Sequence, residues 1–236
     1  MRPTPRGADS GVLPRPQDKR DVVEHMFDRI AGDYERVNRV ISLGLDRRWR
    51  NRAVDGLGLP STSLVLDLAC GTGDLSRILR RRGYLAVGYD FSANMLRHAT
   101  GPHFLVRADV VVLPVADAGA DGIVCGFALR NLVDIGAFLA ECVRVLRPGG
   151  RVALLDAATP ENAVVRVGHR LWFGHVVPWL GARMSEAAPY RYLSASTVYL
   201  PSGAELRAQA EAAGFTDVAV DDLTFGAVRL LTATRP

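Results

Sequence analysis

The chain has 236 residues, of which 48% are hydrophobic, and this suits one globular domain with a sizeable core rather than two full domains. Its formal net charge of +4 is a mild excess, with no basic stripe interleaved with aromatic residues, which argues against a nucleic-acid-binding protein. The three cysteines are scattered and show no Cys-x-x-Cys spacing, so no metal site is predicted, and an odd number of reduced thiols favours the cytoplasm.

The N-terminal region is predicted to be helical after a polar arm. Residues 1–20 are rich in proline and arginine and are predicted to form a disordered arm. From Asp21 onwards apolar residues recur at helical spacing, and a second short helix is predicted over residues 47–57, closed by Gly58. Residues 21–58 are therefore interpreted as an N-terminal helical cap.

Strands and helices alternate along the middle of the chain. Strands are predicted at residues 63–68, 85–89, 104–108, 122–127 and 151–156, and helices between them at residues 74–82, 93–99 and 134–146. Such alternation predicts an α/β fold with a parallel, doubly wound sheet, whose core is residues 60–156. Residues 160–200 break the rhythm with an aromatic-rich insertion, and residues 201–236 hold the last helix, at 204–213, and the final strands. Residues 21–236 are thus predicted to form a single domain.

The first strand ends in the segment Asp67-Leu-Ala-Cys-Gly71-Thr-Gly73, which is typical of a ligand-binding turn. Ligands of an open parallel sheet bind beyond the carboxyl ends of its strands. The two glycines let the backbone turn sharply and let a ligand approach closely, and the next helix offers its N–H groups. Asp90 closes the second strand, where a carboxylate can accept hydrogen bonds from both hydroxyls of a ribose. This pattern indicates a nucleoside-containing cofactor.

Two cofactors share this layout, NAD and S-adenosylmethionine. The NAD fingerprint has a third glycine where this chain has Ser76. Asp109 follows the third strand, where an acid can take the adenine amino group, and Met95 offers a soft surface to adenine. S-adenosylmethionine is therefore favoured, with its positive sulfonium near Asp67, whose other role would be to hold the glycine loop through backbone N–H groups. The predicted cofactor-binding residues are Asp67, Ala69, Gly71, Thr72, Gly73, Asp90, Phe91, Met95, Asp109, Val110 and Gly126.

Further segments on both sides of the glycine loop carry a family pattern. They are Met26-Phe-Asp-Arg-Ile-Ala-Gly-Asp-Tyr34, Ser42-Leu-Gly44 with Arg48-Trp49-Arg50, Gly126-Phe-Ala-Leu-Arg-Asn131, Tyr190-Arg-Tyr-Leu-Ser194 and Leu223-Thr-Phe-Gly226. Together they resemble the ubiquinone/menaquinone biosynthesis C-methyltransferase family over residues 22–230. The resemblance implies a class I methyltransferase (Rossmann-like) fold, with a mostly parallel seven-stranded sheet and helices on both faces. It also implies that S-adenosylmethionine methylates a ring carbon of a prenylated quinol, with demethylmenaquinol as the first choice of substrate.

The resemblance assigns four residues to the reaction. Arg130 is expected beside the quinol oxygen, where it would stabilise the developing oxyanion and lower the pKa of the phenol. The alternative is that Arg130 only pairs with an acid at a strand end, such as Asp134. Asn131 is expected to orient the quinol or a water molecule. Tyr190 and Tyr192 are expected to line the ring pocket, the alternative being plain packing.

Other features leave the proton acceptor and the substrate open. His169 and His175 lie in the aromatic insertion, where either could accept the quinol proton or simply be a surface or packed histidine. Asp156 stands where the family usually has a glutamate, and Ala157-Ala158 replaces Phe-Ser, which leaves the fine substrate specificity open. Two other functions remain: methylation of a soluble aromatic or polyketide product on carbon or oxygen, and a non-catalytic cofactor-binding scaffold.

The sequence predicts contact with a membrane surface rather than insertion. No apolar run reaches the roughly 18 to 20 residues that span a bilayer. Residues 166–184 mix tryptophans and aliphatic residues with arginines, a composition suited to a membrane interface, to a lid over the quinol pocket or to a dimer contact. We expect a cytoplasmic enzyme with transient contact to the inner face of the membrane and no nucleic-acid partner, and a homodimer stays open.

Overall fold

The computed structural model describes residues 18–32, 34–172, 176, 192 and 195–236. Three helices open this part of the chain: α1 (Lys19–Ile30), α2 (Tyr34–Ile41) and α3 (Asp46–Asp55). Helix α1 begins earlier than predicted, at Lys19, which is buried and donates a hydrogen bond from Nζ to the carbonyl oxygen of Leu132, 2.8 Å away. Most of the predicted disordered arm, residues 1–17, lies outside the described residues.

Seven strands form one sheet with helices around it. The strands are β1 (Leu64–Leu68), β2 (Leu85–Asp90), β3 (Phe104–Arg107), β4 (Ala120–Gly126), β5 (Leu146–Ala157), β6 (Thr216–Leu223) and β7 (Val228–Thr234). The remaining helices among the described residues are α4 (Asp74–Arg81), α5 (Ala93–His98), α6 (Ile135–Val145), α7 (Ala163–Leu171) and α8 (Gly203–Ala212). The strand order is β3-β2-β1-β4-β5-β7-β6, and β7 runs antiparallel to both of its neighbours, β5 and β6. The predicted mostly parallel, seven-stranded sheet is confirmed.

The strand order reverses between β1 and β4, and this point fixes where a ligand can bind. On one side of β1 the chain proceeds to β2 and β3, and on the other it proceeds from β4 to β5. The loops that leave β1 and β4 therefore diverge and open a crevice at the carboxyl edge of the sheet.

Two apolar clusters cover the two faces of the sheet. Alternate residues of a strand point to opposite faces, so Leu66 of β1 joins one cluster and Val65 joins the other. The first cluster packs against α6 and α8 through residues such as Phe138 and Leu206. The second packs against α3 and α4, where Leu79 is fully buried. The helices therefore cover both faces, as predicted.

Element ends follow their local hydrogen bonds. Helix α6 begins after Asp134, whose Oδ1 accepts a hydrogen bond from the backbone N–H of Ala137 at 2.9 Å. Strand β5 begins earlier than the predicted residue 151, because Leu146 already pairs with Ala120 before the turn at Gly149. These shifts move no predicted site residue to another element.

The predicted insertion at residues 160–200 begins with α7 and ends with a 3-10 turn at Ser196–Tyr199. Asn162 caps α7 by accepting hydrogen bonds from Val164 and Val165. Residues 173–175, 177–191, 193 and 194 lie outside the described residues, and Tyr190 is among them. Among the residues that are described, no helix is long and apolar enough to cross a bilayer.

Candidate active site

A cavity of about 250 Å³ opens at the carboxyl ends of β1, β2 and β4, and we term it the glycine-loop cavity. Every predicted cofactor residue except Gly73 lines it. Helix α1 covers the cavity and contributes Arg20, Val23 and Phe27 to its wall. The sequence predicted α1 but gave no sign of where it packs, because helical periodicity does not name the surface that a helix covers.

The glycines of the loop have different roles. Gly71 has a φ of 53° and faces the cavity, where a Cβ would find only the Met95 sulfur, 4.0 Å away. Gly73 has a φ of 88° and is the residue before α4, packed against the chain around Thr100 rather than against the cavity. A Cβ on Gly73 would overlap the carbonyl oxygen of Thr100. Gly71 thus leaves space for a ligand, and Gly73 allows the loop to pack.

These roles make Gly73→Ala and Gly71→Ala a matched pair. Gly73→Ala is expected to lower the free energy of unfolding by more than about 3 kcal/mol, since a strained positive φ and a backbone overlap add together. Gly71→Ala keeps the positive φ without the overlap and is expected to cost about 1 kcal/mol. Urea unfolding of both variants measures the difference, and equal losses would contradict the assigned roles.

Asp67 stands at the end of β1 and anchors the first turn of α4. Its side chain is 1% exposed, and Oδ2 accepts hydrogen bonds from the N–H of Ser76 at 2.9 Å and from its hydroxyl at 2.5 Å. The predicted alternative, in which Asp67 holds the glycine loop, is therefore wrong: its partner lies in α4. Burial raises the pKa of Asp67 to about 7, although the Ser76 hydrogen bonds oppose this shift. Asp67 also lines the glycine-loop cavity.

Asp90, and not Asp67, holds the glycine loop. Its Oδ2 accepts a hydrogen bond from the N–H of Gly71 at 2.8 Å, and Oδ1 accepts one from the N–H of Ser92 at 2.8 Å. Burial raises the pKa of Asp90 to about 6, against the opposing effect of these two bonds. Each carboxylate oxygen has a second lone pair. Asp90 can therefore hold the loop and accept further hydrogen bonds from a ligand in the cavity.

Asp109 closes the far end of the glycine-loop cavity together with α1. Its Oδ2 lies 2.9 Å from Nη1 of Arg20, and its Oδ1 accepts a hydrogen bond from the N–H of Val111 at 3.1 Å. Both side chains of the Arg20–Asp109 pair are partly exposed, so the pair contributes little stability by itself. The pair connects the start of α1 to the loop after β3, on the other side of the cavity.

A second cavity of about 440 Å³ lies next to the first, and we term it the apolar cavity. Ile41, Leu43 and Trp49 line it from the region of α2 and α3, and Phe225 from the turn before β7. Helix α7 supplies further apolar wall, and Trp172 beyond it donates a hydrogen bond from Nε1 to the carbonyl oxygen of Ile41 at 3.1 Å. The start of the aromatic-rich insertion thus forms one side of a cavity large enough for a ring system.

Three residues line both cavities, namely Tyr34, Arg50 and Phe127. Arg50 pairs with Asp46 at 3.2 Å and with Asp74 at 3.3 Å, and its guanidinium lies 4.8 Å from the ring centre of Phe127. The wall between the cavities is therefore held by a buried arginine between two carboxylates. The sequence analysis did not predict this wall. The spacing of Asp46 and Arg50, four residues apart on one helix face, could have indicated the ion pair.

Arg130 lies in the wall of the apolar cavity and is 1% exposed. Its Nη1 pairs with Asp156 at the end of β5 and also donates to the carbonyl oxygen of Phe127 at 2.9 Å. Its Nε donates to the hydroxyl of Ser196 at 3.2 Å. The predicted partner Asp134 is wrong, because Asp134 caps α6. Burial raises the pKa of Asp156 against the opposing charge of Arg130, so the two buried groups depend on each other.

Asn131 and Tyr192 meet on the other side of the wall. The hydroxyl of Tyr192 donates a hydrogen bond to Oδ1 of Asn131 at 3.2 Å, and burial raises the pKa of Tyr192 to about 12. Asn131 lines the glycine-loop cavity, whereas Arg130 beside it lines the apolar cavity. The two neighbours therefore face different cavities. Tyr190 lies outside the described residues.

Comparison with known proteins identifies the family. The sequence matches the ubiE/COQ5 methyltransferase family over residues 15–235. The chain belongs to this family. It is 40% identical to the demethylmenaquinone methyltransferase of Roseiflexus sp. (strain RS-1), over 95% of this chain and 98% of that protein. It is 39% identical to the protein of the same name from Thermus thermophilus, over 89% and 100%. It is 33% identical to the ubiquinone/menaquinone biosynthesis C-methyltransferase UbiE of Geobacter sulfurreducens, over 92% and 90%.

Solved structures agree with the methyltransferase fold. A methyltransferase in complex with the Trm112 activator of Haloferax volcanii aligns with a TM-score of 0.64 at 22% identity, covering 89% of this chain and 97% of that one. A SAM-dependent methyltransferase from Thermotoga maritima aligns with a TM-score of 0.63 at 18% identity, covering 90% and 99%. At these identities the likeness concerns the fold alone. The family match and the fold together make this protein a methyltransferase, and the predicted family and fold class are confirmed.

Among the described side chains, no group of three or more histidine, cysteine, aspartate or glutamate residues is arranged to hold a metal ion. Cys70 lines the glycine-loop cavity, and burial raises the pKa of its thiol well above the ordinary value.

Proposed function

We propose that this protein transfers a methyl group from S-adenosylmethionine to a ring carbon of demethylmenaquinol. The observation that carries the proposal is the pair of adjoining cavities with a common wall at Tyr34, Arg50 and Phe127. One cavity has buried carboxylates around a glycine loop, and the other is apolar with a buried arginine. The names of the relatives support demethylmenaquinol ahead of the ubiquinone branch.

The residues of the glycine-loop cavity fit S-adenosylmethionine. The acids Asp67 and Asp90 suit a cofactor with a positive sulfonium and two ribose hydroxyls, and Met95 and Val110 offer apolar surface to adenine. The missing Cβ of Gly71 leaves open space in the cavity. When bound, the cofactor supplies an electrophilic methyl group. Asp109 is proposed as the acceptor for the adenine amino group, through the lone pairs that its bonds to Arg20 and Val111 leave free.

Arg130 is proposed to activate the quinol. A phenol with a pKa of about 10 is mostly protonated at neutral pH, and its ring carbon is then a poor nucleophile. A guanidinium at the wall of an apolar cavity stabilises the phenolate and so lowers that pKa. Asp156 and Phe127 fix Nη1 of Arg130, and Ser196 fixes Nε, so the guanidinium plane is set before substrate binds. Asn131, held by Tyr192, is proposed to orient the reacting groups.

His169 is proposed to take up the quinol proton. It lines the apolar cavity from α7, and Arg130 lines the same cavity. Burial lowers the pKa of His169 and so favours its neutral imidazole, the form that accepts a proton. His175, the other candidate, lies outside the described residues. A base of this kind adds on the order of 10² to 10⁴ in rate.

One assay tests the function and its rivals together. The full chain is incubated with S-adenosylmethionine and reduced short-tail analogues of demethylmenaquinone and demethoxybenzoquinone, and mass spectrometry with NMR locates the new methyl group. We expect a methyl group on a ring carbon of the naphthoquinol. Methylation of the benzoquinol alone would move the protein to the ubiquinone branch. Methylation of a soluble phenol but of neither quinol, or cofactor binding without any turnover, would overturn the proposal.

The substrate implies reversible contact with a membrane surface. A prenylated quinol resides in the bilayer, and we propose that the protein reaches it from the inner face without inserting a helix. The predicted interfacial stretch, residues 166–184, is described only in part, at residues 166–172 and 176.

A further inference from the structure

Large apolar side chains are exposed around the mouth of the apolar cavity. Leu43 is 71% exposed and Phe225 is 83% exposed, yet both also line that cavity. A side chain that lines a cavity and is exposed to solvent lies at its mouth. These two residues come from different parts of the chain, the turn between α2 and α3 and the turn before β7. The mouth therefore has an apolar edge built from two separate turns.

Both turns hold their apolar residue in a backbone conformation that side chains disfavour. Leu43 has a φ of 53° and Phe225 a φ of 57°, and neither is a glycine. Thr224 before Phe225 also has a positive φ, of 49°, although a β-branched residue is rarely found there. Trp49 fixes this turn, since its Nε1 donates a hydrogen bond to Oγ1 of Thr224 at 2.8 Å. Both turns are strained and both expose an apolar side chain to solvent. This combination indicates that the two side chains contact an apolar partner.

Helix α7 extends the same apolar edge. Its Val165 and His169 line the apolar cavity. Val164, Val167 and Leu171 recur at a spacing of three and four and are exposed, Val164 by 81%. One face of α7 thus forms cavity wall, while an adjacent stripe presents apolar side chains outwards. We term Leu43, Phe225 and this stripe the apolar rim.

Cations flank the apolar rim. Arg39, Arg47 and Arg48 lie within five residues of Leu43 in the sequence and are exposed. In the part of the chain that the structure describes, none of the three forms a salt bridge with an acid. Uncompensated positive charge beside exposed apolar residues matches the surface of an anionic bilayer.

We infer that the apolar rim docks on an anionic lipid bilayer, so that the mouth of the apolar cavity opens onto the membrane. This inference rests on the proposed function, in which the substrate is a prenylated quinol. A cavity of about 440 Å³ has room for a ring system and the start of a chain but not for a long prenyl tail. The rest of the tail leaves through the rim, and the bilayer gives it apolar surroundings that water does not.

Vesicle co-sedimentation of the full chain tests the docking surface. Phosphatidylglycerol vesicles are expected to bind the parent protein, and phosphatidylcholine vesicles to bind it more weakly. Phe225→Gly and the triple change Val164→Ser, Val167→Ser, Leu171→Ser are each expected to weaken binding by about tenfold or more. The matched control is Phe104→Ser, which removes a ring that is 70% exposed on β3, the strand at one edge of the sheet, and should leave binding unchanged.

Fold stability and charge provide independent readouts. Glycine adopts the φ of residue 225 without strain, so Phe225→Gly should not lower the melting temperature although it weakens vesicle binding. Changing Arg39, Arg47 and Arg48 to glutamine should remove the preference for anionic vesicles. Changing Arg80 and Arg81 to glutamine, at the end of α4 remote from the glycine loop, should leave that preference intact.

Three outcomes would overturn the inference. The first is a Phe225→Gly variant that binds vesicles as tightly as Phe104→Ser. The second is a parent that does not bind anionic vesicles. The third is a parent dimer in sedimentation velocity that Phe225→Gly converts to a monomer, which would make the rim an interface between copies. Failure of the proposed function looks different: vesicle binding persists, but no quinol is methylated. The triple variant on α7 should retain parent turnover on a soluble short-tail quinol, because its residues do not line the cavity.

Discussion

Arg130→Ala is expected to abolish turnover and to lower the free energy of unfolding by about 3–5 kcal/mol. The loss of stability follows from burial: Arg130 and Asp156 are each 1% exposed, so removing the cation leaves an uncompensated buried carboxylate. Loss of activity in this variant alone would therefore not separate a catalytic role from unfolding. The single substitution changes two properties at once, because Arg130 is proposed to stabilise both the fold and the phenolate.

Removing both charges separates the two effects. The double change Arg130→Met with Asp156→Asn removes both buried charges, and the amide oxygen can still accept a hydrogen bond from one of the backbone N–H groups of Arg130 and Ala157 that Asp156 now satisfies. We expect the double variant to lose clearly less free energy of unfolding in urea than Arg130→Ala, while turnover on the naphthoquinol falls by about 10² to 10³. The Kd for S-adenosylmethionine should stay within a few-fold of the parent, since Arg130 lines only the apolar cavity. A folded double variant with parent turnover would show that Arg130 is structural.

Asp90→Ala is expected to raise the Kd for S-adenosylmethionine by about 10² to 10³. The change removes the acceptor of the Gly71 and Ser92 N–H groups, and each buried donor left without a partner costs about 1–3 kcal/mol. It also removes the proposed acceptor of the ribose hydroxyls. Asp90→Asn keeps one oxygen, so its Kd should lie between those of the parent and of Asp90→Ala. Asp55→Asn is the matched control, because Asp55 is half-exposed and pairs with Arg82, away from the glycine-loop cavity. Isothermal titration calorimetry measures all four proteins.

The pH dependence gives a second check on Asp90. Burial raises its pKa to about 6 in the free protein, and hydrogen bonds from a bound ribose would favour the charged form. Affinity should therefore fall as the pH drops through 6, and Asp90→Asn should remove that part of the slope. The free energy of unfolding depends on pH in the opposite direction. The folded-state pKa lies above the unfolded value, so this group favours the free folded state at low pH, and that contribution is lost as the pH rises through about 6. An Asp90→Asn protein with the parent's pH slope of binding would contradict the assignment.

The spacing of residues that are close in sequence was sufficient to predict much of the fold. The alternation of strands and helices, the glycines after β1 and the acid at the end of β2 each depend on residues close in sequence, and the structure has these elements at nearly the predicted bounds. The same local patterns placed most of the predicted cofactor residues in one cavity, because the carboxyl ends of parallel strands meet at one edge of the sheet.

The partners of buried charges could not be predicted in this way. Asp134 was the nearer acid to Arg130 in sequence, but an acid at the start of a helix satisfies itself by capping. Asp156 is far along the chain, and it reaches Arg130 because β4 and β5 are neighbours in the sheet. The loop-holding role considered for Asp67 falls to Asp90 for a similar reason, since which N–H a carboxylate meets depends on the register of β1 and β2 and on how α4 packs.

The sequence by itself determined the period of each element, the glycine loop and the family, because these depend on residue type at fixed short spacing. Only the tertiary structure decided that α1 covers the glycine-loop cavity, that Tyr34, Arg50 and Phe127 separate two cavities, and that the apolar rim surrounds the mouth of one of them. The physical reason is that burial and charge pairing act between groups that are close in space, and the chain brings those groups together only when the sheet and its helices have packed.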